Sequence, residues 1–231
     1  MADPWTIVHE PARNSPAGDT VRADTTLRRA VDLVVAALLL PTLLPLLVLL
    51  ALAVRCTCRG PAIYRQRRVG RYGQPFSIWK FRTMVVDADR IGAAVGGTGD
   101  PRITTVGRLL RLTRLDELPQ LVNLLRGEMT LIGPRPEVER FLRYYTPRER
   151  EMLRVRPGIL GPGALLFAAE QSAELDSAPD PDAYYAARLL HPKLALDRAY
   201  LADRRLGTDL RLLARAAGVV LGRPAGRPGD Q

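Results

Sequence analysis

The sequence predicts an α+β fold, mainly α, organised around one membrane-inserted helix, and three observations carry that prediction. Residues 33–54 contain no charged side chain, only Leu, Val, Ala, two prolines and Thr42, which marks a membrane segment. Residues 61–66 and 74–81 read as two short strands joined across a turn-rich link at 69–73, a β-hairpin. Beyond the hairpin, apolar residues recur at i, i+3, i+4 and i+7, first as Leu118, Leu121, Val122 and Leu125, then as Val138, Phe141, Leu142 and Tyr145. Together these give a re-entrant N-terminal membrane helix, a short β-hairpin and amphipathic interfacial helices. The expected organisation is a mobile tail at 1–27, the membrane helix at 28–56, a cytosolic domain at 57–221 and a disordered tail at 222–231.

Composition narrows the partners. With 231 residues, 47% of them hydrophobic, the chain can bury a sizeable core, and a net charge of +10 calls for an anionic partner. Nucleic acid, an anionic membrane face and a phosphorylated substrate all qualify, and the scarcity of aromatics and the absence of any nucleic-acid motif make the first the weakest of the three, so no nucleic-acid partner is expected. Cys56 and Cys58 are too close for a disulfide framework and too few for a metal site, which fits reduced thiols beside a membrane. His9 and His191 have no partner at metal-ligand spacing and read as incidental.

The apolar run exceeds the 7–15 residues of a signal peptide. Its 22 residues would cover about 33 Å as a helix, enough to cross a bilayer core of about 30 Å, so length permits spanning. Two features favour re-entry. Pro41 and Pro45 fall near the middle, and each removes a donor and crowds the preceding turn, so a bend is expected there. Arg28 and Arg29 precede the segment while Arg55 and Arg59 follow it, and a spanning helix would strand one basic flank on the wrong side. Asp32, at the lip, lies within helical reach of Arg28 and Arg29.

The hairpin is strongly basic through Arg65, Arg67, Arg68, Arg71, Lys80 and Arg82, a pattern that suits anionic lipid as well as substrate. The glycine-rich loop at 96–101 lacks the Gly-Lys-Ser/Thr ending of a phosphate-binding loop and carries no nucleotide claim. Asp116 and Glu117 sit among Arg102, Arg108, Arg111, Arg114, Arg126 and Arg135, a field that attracts phosphate and favours ionised carboxylates. They have two readings. Thr113-x-x-Asp116 ahead of Pro119 is also what a helix N-terminal cap looks like. Arg135 stands between Pro134 and Pro136, whose fixed backbone suits either an ordinary turn or an arginine gripping phosphate in two-point fashion. A last amphipathic helix is expected through Leu210, Leu213, Ala217 and Val220.

Five stretches in this order resemble one family. They are Arg29-Ala-Val-Asp32, Lys80-Phe-Arg-Thr-Met84, Asp100-Pro-Arg-Ile-Thr104 with Gly107 and Arg111, Leu115-Asp-Glu-Leu-Pro-Gln-Leu121, and Gly133-Pro-Arg-Pro136. The chain is similar, from about Arg28 to about Arg215, to the bacterial sugar transferases that are monotopic polyprenyl-phosphate phosphoglycosyl transferases. The resemblance implies transfer of a phospho-sugar from a UDP-sugar to polyprenyl (undecaprenyl) phosphate, releasing UMP, at the cytoplasmic face of a bacterial inner membrane. It implies Asp116 as nucleophile of a covalent intermediate and as a ligand of Mg²⁺, with Glu117 as an acid-base or orienting partner. Arg111 and Arg135 would clamp phosphates, helped by Lys80, Arg82 and Arg102. Such a reaction starts an exopolysaccharide or lipopolysaccharide chain. The oligomeric state stays open, a homodimer included.

The chain also departs from that family. The usual Ser-Pro bend corresponds here to Leu44-Pro45, with Pro41 added. After Arg156-Pro-Gly-Ile159 it resembles a branch with Phe167, Glu170 and a later Tyr185-x-x-x-Leu189-x-x-Pro192, and because the resemblance links this region to sugar choice, no particular sugar is carried over. The rival readings are a non-catalytic, membrane-anchored anion binder and a metal-dependent phosphohydrolase.

Overall fold

The structure, a computed structural model, describes residues 24–220, with the side chains of 166–171 and 219–220 left out. Most of the expected mobile tail, the whole expected disordered tail, His9 and the side chain of Val220 lie outside the described residues. Within them, residue 24 is already engaged. Asp24 accepts from Arg204 Nη1 at 2.9 Å and from the Arg156 amide at 3.0 Å.

Helix α1 (Thr26–Thr57) opens on Thr25, whose side chain accepts from the Arg28 amide. Its helical backbone continues through Pro41 and Pro45. One face is packed along its length. Ala36, Leu40 and Leu43 lie against Leu121, Leu124 and Leu125, and Leu47, Leu50, Ala51 and Val54 lie against Phe81, Val106 and Leu110. The other face presents Leu27, Val34, Leu38, Leu44, Val48, Leu49 and Leu52, too broad an apolar surface for water to cover cheaply. Both ends are tied to the same body. Near the N-terminus, Arg29 donates to the carbonyls of Leu124 and Leu125 at 2.6 and 2.9 Å, and Arg28 pairs with Asp209. At the other end Arg55 donates to the Gly60 carbonyl at 2.9 Å. Asp32 therefore has a different job from the expected pairing with Arg28 or Arg29. Both arginines are engaged elsewhere, and Asp32 accepts from the Leu131 amide at 2.9 Å.

The hairpin forms as β1 (Ile63–Val69) and β2 (Pro75–Phe81), antiparallel, with Tyr64 opposite Lys80 and Val69 opposite Pro75. A 3-10 turn at Arg71–Gly73 reverses the chain, with Tyr72 and Gly73 both at positive φ. Asn123 then locks β2 to helix α3 (Gln120–Arg126), its side chain accepting from the Trp79 amide at 3.0 Å and donating to the Ser77 carbonyl at 2.7 Å. Helix α2 (Thr105–Leu112), capped by Thr104, crosses close to the end of the hairpin. Gly107 permits that approach, since a Cβ there would stand 2.0 Å from the Thr83 carbonyl oxygen.

The sequence reading missed a second sheet. Strands β3 (Thr130–Ile132) and β4 (Gly158–Leu160) pair in parallel, three residues each, too short to show a period of two. The stripe from Val138 to Tyr145 does face the core, but mostly as a 3-10 helix at Glu139–Tyr144, because Thr146 and Pro147 start a new helix, α4 (Pro147–Arg150), directly afterwards. Glu149 closes that helix's capping box and also meets His191 Nδ1 at 2.8 Å, so His191 is a structural partner and not incidental.

Helices α5 (Pro162–Ser177), α6 (Pro181–Tyr184), α7 (Leu190–Ala202) and α8 (Leu206–Val220) complete the described residues, with a π-helical segment at Tyr185–Leu189 between α6 and α7. They close over the main core of Phe141, Met152, Val155, Tyr185, Leu190, Leu194 and Leu201. On α8 the predicted stripe is rotated. Leu210 is exposed, while Leu212 and Leu213 turn toward the core, because Asp209 is drawn in by Arg28 and the Tyr200 hydroxyl.

Gly107→Ala should destabilise the protein by about 1–3 kcal/mol, the usual cost of forcing atoms into a packed contact. A thermal melt against the wild type in the same detergent checks this.

Candidate active site

The acid pair lies in a turn, not under a helix cap. Thr113 ends α2, with its hydroxyl donating to the Leu109 carbonyl at 2.8 Å, so it is not available as an N-cap for Asp116. Arg114 follows in the left-handed region at φ 59°, an uncommon conformation for a residue with a Cβ. That reversal feeds a 3-10 turn at Leu115–Glu117, from which Pro119 leads straight into α3. Both carboxylates thereby face one cleft of about 480 Å³, also lined by Lys80, Arg82, Arg102, Arg111 and Arg135.

The seven predicted residues are thus brought together, but they are differently engaged. Arg135 holds Glu117 in a two-point grip, Nη1 donating to Oε2 at 2.9 Å and Nη2 to Oε1, while Nη1 also donates to the Ile159 carbonyl at 3.0 Å. The loop carrying it is clamped between β3 and β4 by Gly158 N–H to the Pro134 carbonyl at 2.8 Å and Gly133 N–H to the Leu160 carbonyl at 3.0 Å. Arg111 donates through Nε to the Thr83 hydroxyl at 2.9 Å, a fixing contact that leaves its terminal nitrogens toward the cleft. Arg82 donates through Nε to the Pro61 carbonyl at 2.9 Å. Arg102 spends more of itself on the fold, binding Asp100 and the carbonyls of Ala88 and Ala93 at 2.8 and 3.1 Å.

The two carboxylates do not share one electrostatic fate. Burial pushes Glu117 up, but Arg135, Lys80 and Arg114 outweigh it and hold the carboxyl at about 2. Asp116, 8% exposed, is instead raised, by burial first and by the adjacent Glu117 charge second, against the pull of Lys80, Arg111 and Arg135. The arginine field therefore secures the ionisation of Glu117 more firmly than that of Asp116. Asp116 accepts no hydrogen bond among the described residues, which leaves its oxygens open to a ligand. Burial, with Arg135 adding to it and Glu117 only partly opposing, pushes Lys80 down to about 7. Lys80 keeps part of its surface in the cleft, where water limits that desolvation.

Among the other residues that line the cleft are Arg68, Glu137, Tyr185 and Lys193. The sequence reading places Arg68 only in the basic hairpin and Tyr185 only in the branch pattern, and it singles out neither Glu137, which directly follows the Gly133–Pro136 loop, nor Lys193. The grouping of Tyr185 and Lys193 with Glu137 was not legible, because they meet it across separations of 48 and 56 residues.

Taken together, an apolar helix beside a cationic cleft with a buried acid pair defines a membrane-associated protein built to handle phosphorylated substrates. The chain belongs to the bacterial sugar transferase family, whose profile matches residues 23–223. It is 38% identical over 206 residues to UDP-glucose:undecaprenyl-phosphate glucose-1-phosphate transferase of Caulobacter vibrioides, covering 87% of this chain and 72% of that protein. It is 46% identical over 139 residues to the Escherichia coli protein of the same name, covering 58% of this chain and 30% of the relative. It is 40% identical over 141 residues to UDP-N-acetylgalactosamine-undecaprenyl-phosphate N-acetylgalactosaminephosphotransferase of Aeromonas hydrophila, covering 58% and 33%.

Lys80 gives a pH test. Below pH 7 it is charged in both folded and unfolded chains, and its burial cost is fully felt; between about 7 and 10.5 the unfolded chain binds more protons, so stability rises with pH. Lys80→Met should therefore melt higher than the wild type below pH 7, with the advantage shrinking as pH climbs toward 10.5. Melting curves of both proteins across that range decide it.

Proposed function

We propose that this protein transfers the phospho-sugar of a UDP-sugar to undecaprenyl phosphate, giving undecaprenyl-diphosphate-sugar and UMP. The observation that carries it is the placement of Asp116, buried and accepting no hydrogen bond among the described residues, beside Glu117, Lys80, Arg111 and Arg135 in one cleft of a bacterial sugar transferase. An anion-binding protein could use Glu117 to orient Arg135, but it gains nothing from the second buried carboxylate, Asp116.

The residues suggest a two-step displacement. An Asp116 carboxylate oxygen attacks the sugar-linked phosphorus, a P–O bond forms, and the P–O bond to UMP breaks with its electron pair leaving on UMP. A phosphate oxygen of the lipid then attacks the same phosphorus, and the Asp116 carboxylate is released. Splitting the transfer in this way lets one carboxylate meet donor and acceptor in turn. Arg111 and Arg135 hold the phosphates and stabilise charge that builds on them. Glu117, kept ionised and oriented by Arg135, fixes that arginine toward the cleft.

Mg²⁺ fits the donor set in one mode only. No group of three or more His, Cys, Asp or Glu gathers among the described residues, so Asp116 together with substrate phosphates would hold the ion, as Mg²⁺ commonly is held. Bound there, it would cancel charge between the carboxylate and the diphosphate.

The membrane placement proposed here rests on α1. Its two ends contact one body, which supports a helix that enters the bilayer from the cytoplasmic face of the inner membrane and returns, with the exposed Leu and Val face toward lipid. A polyprenyl chain is confined to lipid, so a site at the interface meets it by orientation and not by extraction.

Two measurements test this reading. In detergent with Mg²⁺ and undecaprenyl phosphate, one UDP-sugar of a panel should release UMP only when the acceptor is present, and Asp116→Asn should lower the rate by at least about 10³-fold. Mutant activity equal to wild type removes Asp116 as nucleophile, and activity without acceptor favours the phosphohydrolase. For the helix, Cys56 and a cysteine introduced by Leu27→Cys, in a Cys58→Ser background, should both react with an impermeant maleimide from the cytoplasmic side alone; labelling from opposite sides would mean a spanning helix.

A further inference from the structure

We propose that Glu137, Lys193 and Tyr185 form the subsite for the hexose of the UDP-sugar donor, and that this cluster sets donor selectivity. This rests on the transferase reading above.

The three side chains come from distant parts of the chain and close on one another. The Tyr185 hydroxyl donates to Glu137 Oε1 at 2.5 Å and accepts from Lys193 Nζ at 2.6 Å, and Lys193 also pairs with the same Glu137 oxygen. The π-helical segment beginning at Tyr185 re-aims that side chain, a device often found at functional sites. Lys193 is brought in by the close crossing of α5 and α7. Gly163 lies so near that a Cβ would stand 2.4 Å from the Lys193 carbonyl oxygen, and its amide donates to Asp197 Oδ1 at 2.9 Å.

All three residues are nearly buried, yet all three line the cleft that holds Asp116. A buried ion pair contributes little to stability over apolar packing, so stability alone does not account for one in the wall of a cleft. Their mutual bonds use two of the three ammonium donors of Lys193 and one oxygen of Glu137. What remains is a donor and an acceptor side by side, the pairing that recognises neighbouring sugar hydroxyls.

Two observations favour the sugar over the base. The Tyr185 ring is already covered, with Phe141 4.9 Å away centroid to centroid and Lys193 over it at 5.1 Å, so it offers a pyrimidine no face to stack on. Position is the second. The hexose is bonded directly to the phosphorus that Asp116 would attack, so its subsite must adjoin the acid pair. Glu137 is separated from the Glu117-bound Arg135 only by Pro136, which puts their Cα atoms within about 7 Å.

The test compares wild type, Tyr185→Phe, Lys193→Met and Lys193→Arg in lipid nanodiscs with undecaprenyl phosphate. UDP-glucose, UDP-galactose and their N-acetylhexosamine counterparts serve as donors, and UMP as product inhibitor. For Tyr185→Phe and Lys193→Met, kcat/KM for the preferred donor should fall about 10- to 100-fold while its ratio to the epimeric donor shrinks toward one. Inhibition by UMP should stay within about twofold, and Lys193→Arg should restore part of the selectivity. An equal fall for every donor with weaker UMP inhibition would place the cluster at the nucleotide instead. A lower melting temperature with unchanged donor ratios would make it structural only. Either outcome overturns the assignment while leaving the transferase reading intact, whereas a wild type that releases no UMP from any donor takes both down.

Discussion

The two-point contact between Arg135 and Glu117 is the constraint on which the rest of the site depends. It ties the loop between β3 and β4 to the turn between α2 and α3, two segments that share no sheet. A guanidinium and a carboxylate this deeply placed would each be costly alone, and together they are tolerated only because the geometry is good and further bonds complete it. The Ile159 carbonyl supplies one such bond. With Glu117 committed to Arg135, the neighbouring Asp116 is the carboxylate of the pair that accepts no hydrogen bond among the described residues, and the proposed reaction makes it the nucleophile. Burial and the fixed Glu117 charge raise it while three cations draw it down, an opposition that fits the role proposed for it.

The membrane helix and the cleft are one construction. Helix α3, which begins at Gln120 three residues after Glu117, lays Leu121 and Leu124 against Ala36 of α1, and its last carbonyls receive Arg29. The far half of α1 meets Phe81 at the end of the strand that carries Lys80. The acid pair is therefore referenced to the apolar helix from both sides. In the proposed reaction that fixed relation matters, because one substrate is dissolved in lipid and the other in water.

Local signals in the chain were strong where an element is defined by its own residues. The apolar segment, the hairpin and its turn, and the loop held by two prolines all formed where expected, since each depends on hydropathy, alternation or fixed φ within a few positions. The reading weakened where a residue's role depends on a distant partner. Thr113-x-x-Asp116 has the letters of a cap, yet Arg114 turns left-handed between them and Thr113 closes the preceding helix. Asp32 had two arginines at helical spacing, but Leu131, 99 residues away, offered the bond it makes.

The sequence by itself therefore determined the family, the membrane helix, the hairpin and the identity of the acid pair with its cations, because motif order, hydropathy and charge are properties of the letters. Only the tertiary structure decided which cation serves which carboxylate, that Arg102 is largely spent on its own loop, and that Glu137, Tyr185 and Lys193 complete the cleft wall. Hydrogen bonds between residues some fifty positions apart leave no periodic trace in a single chain, and the balance between burial and neighbouring charge exists only once the chain has folded around them.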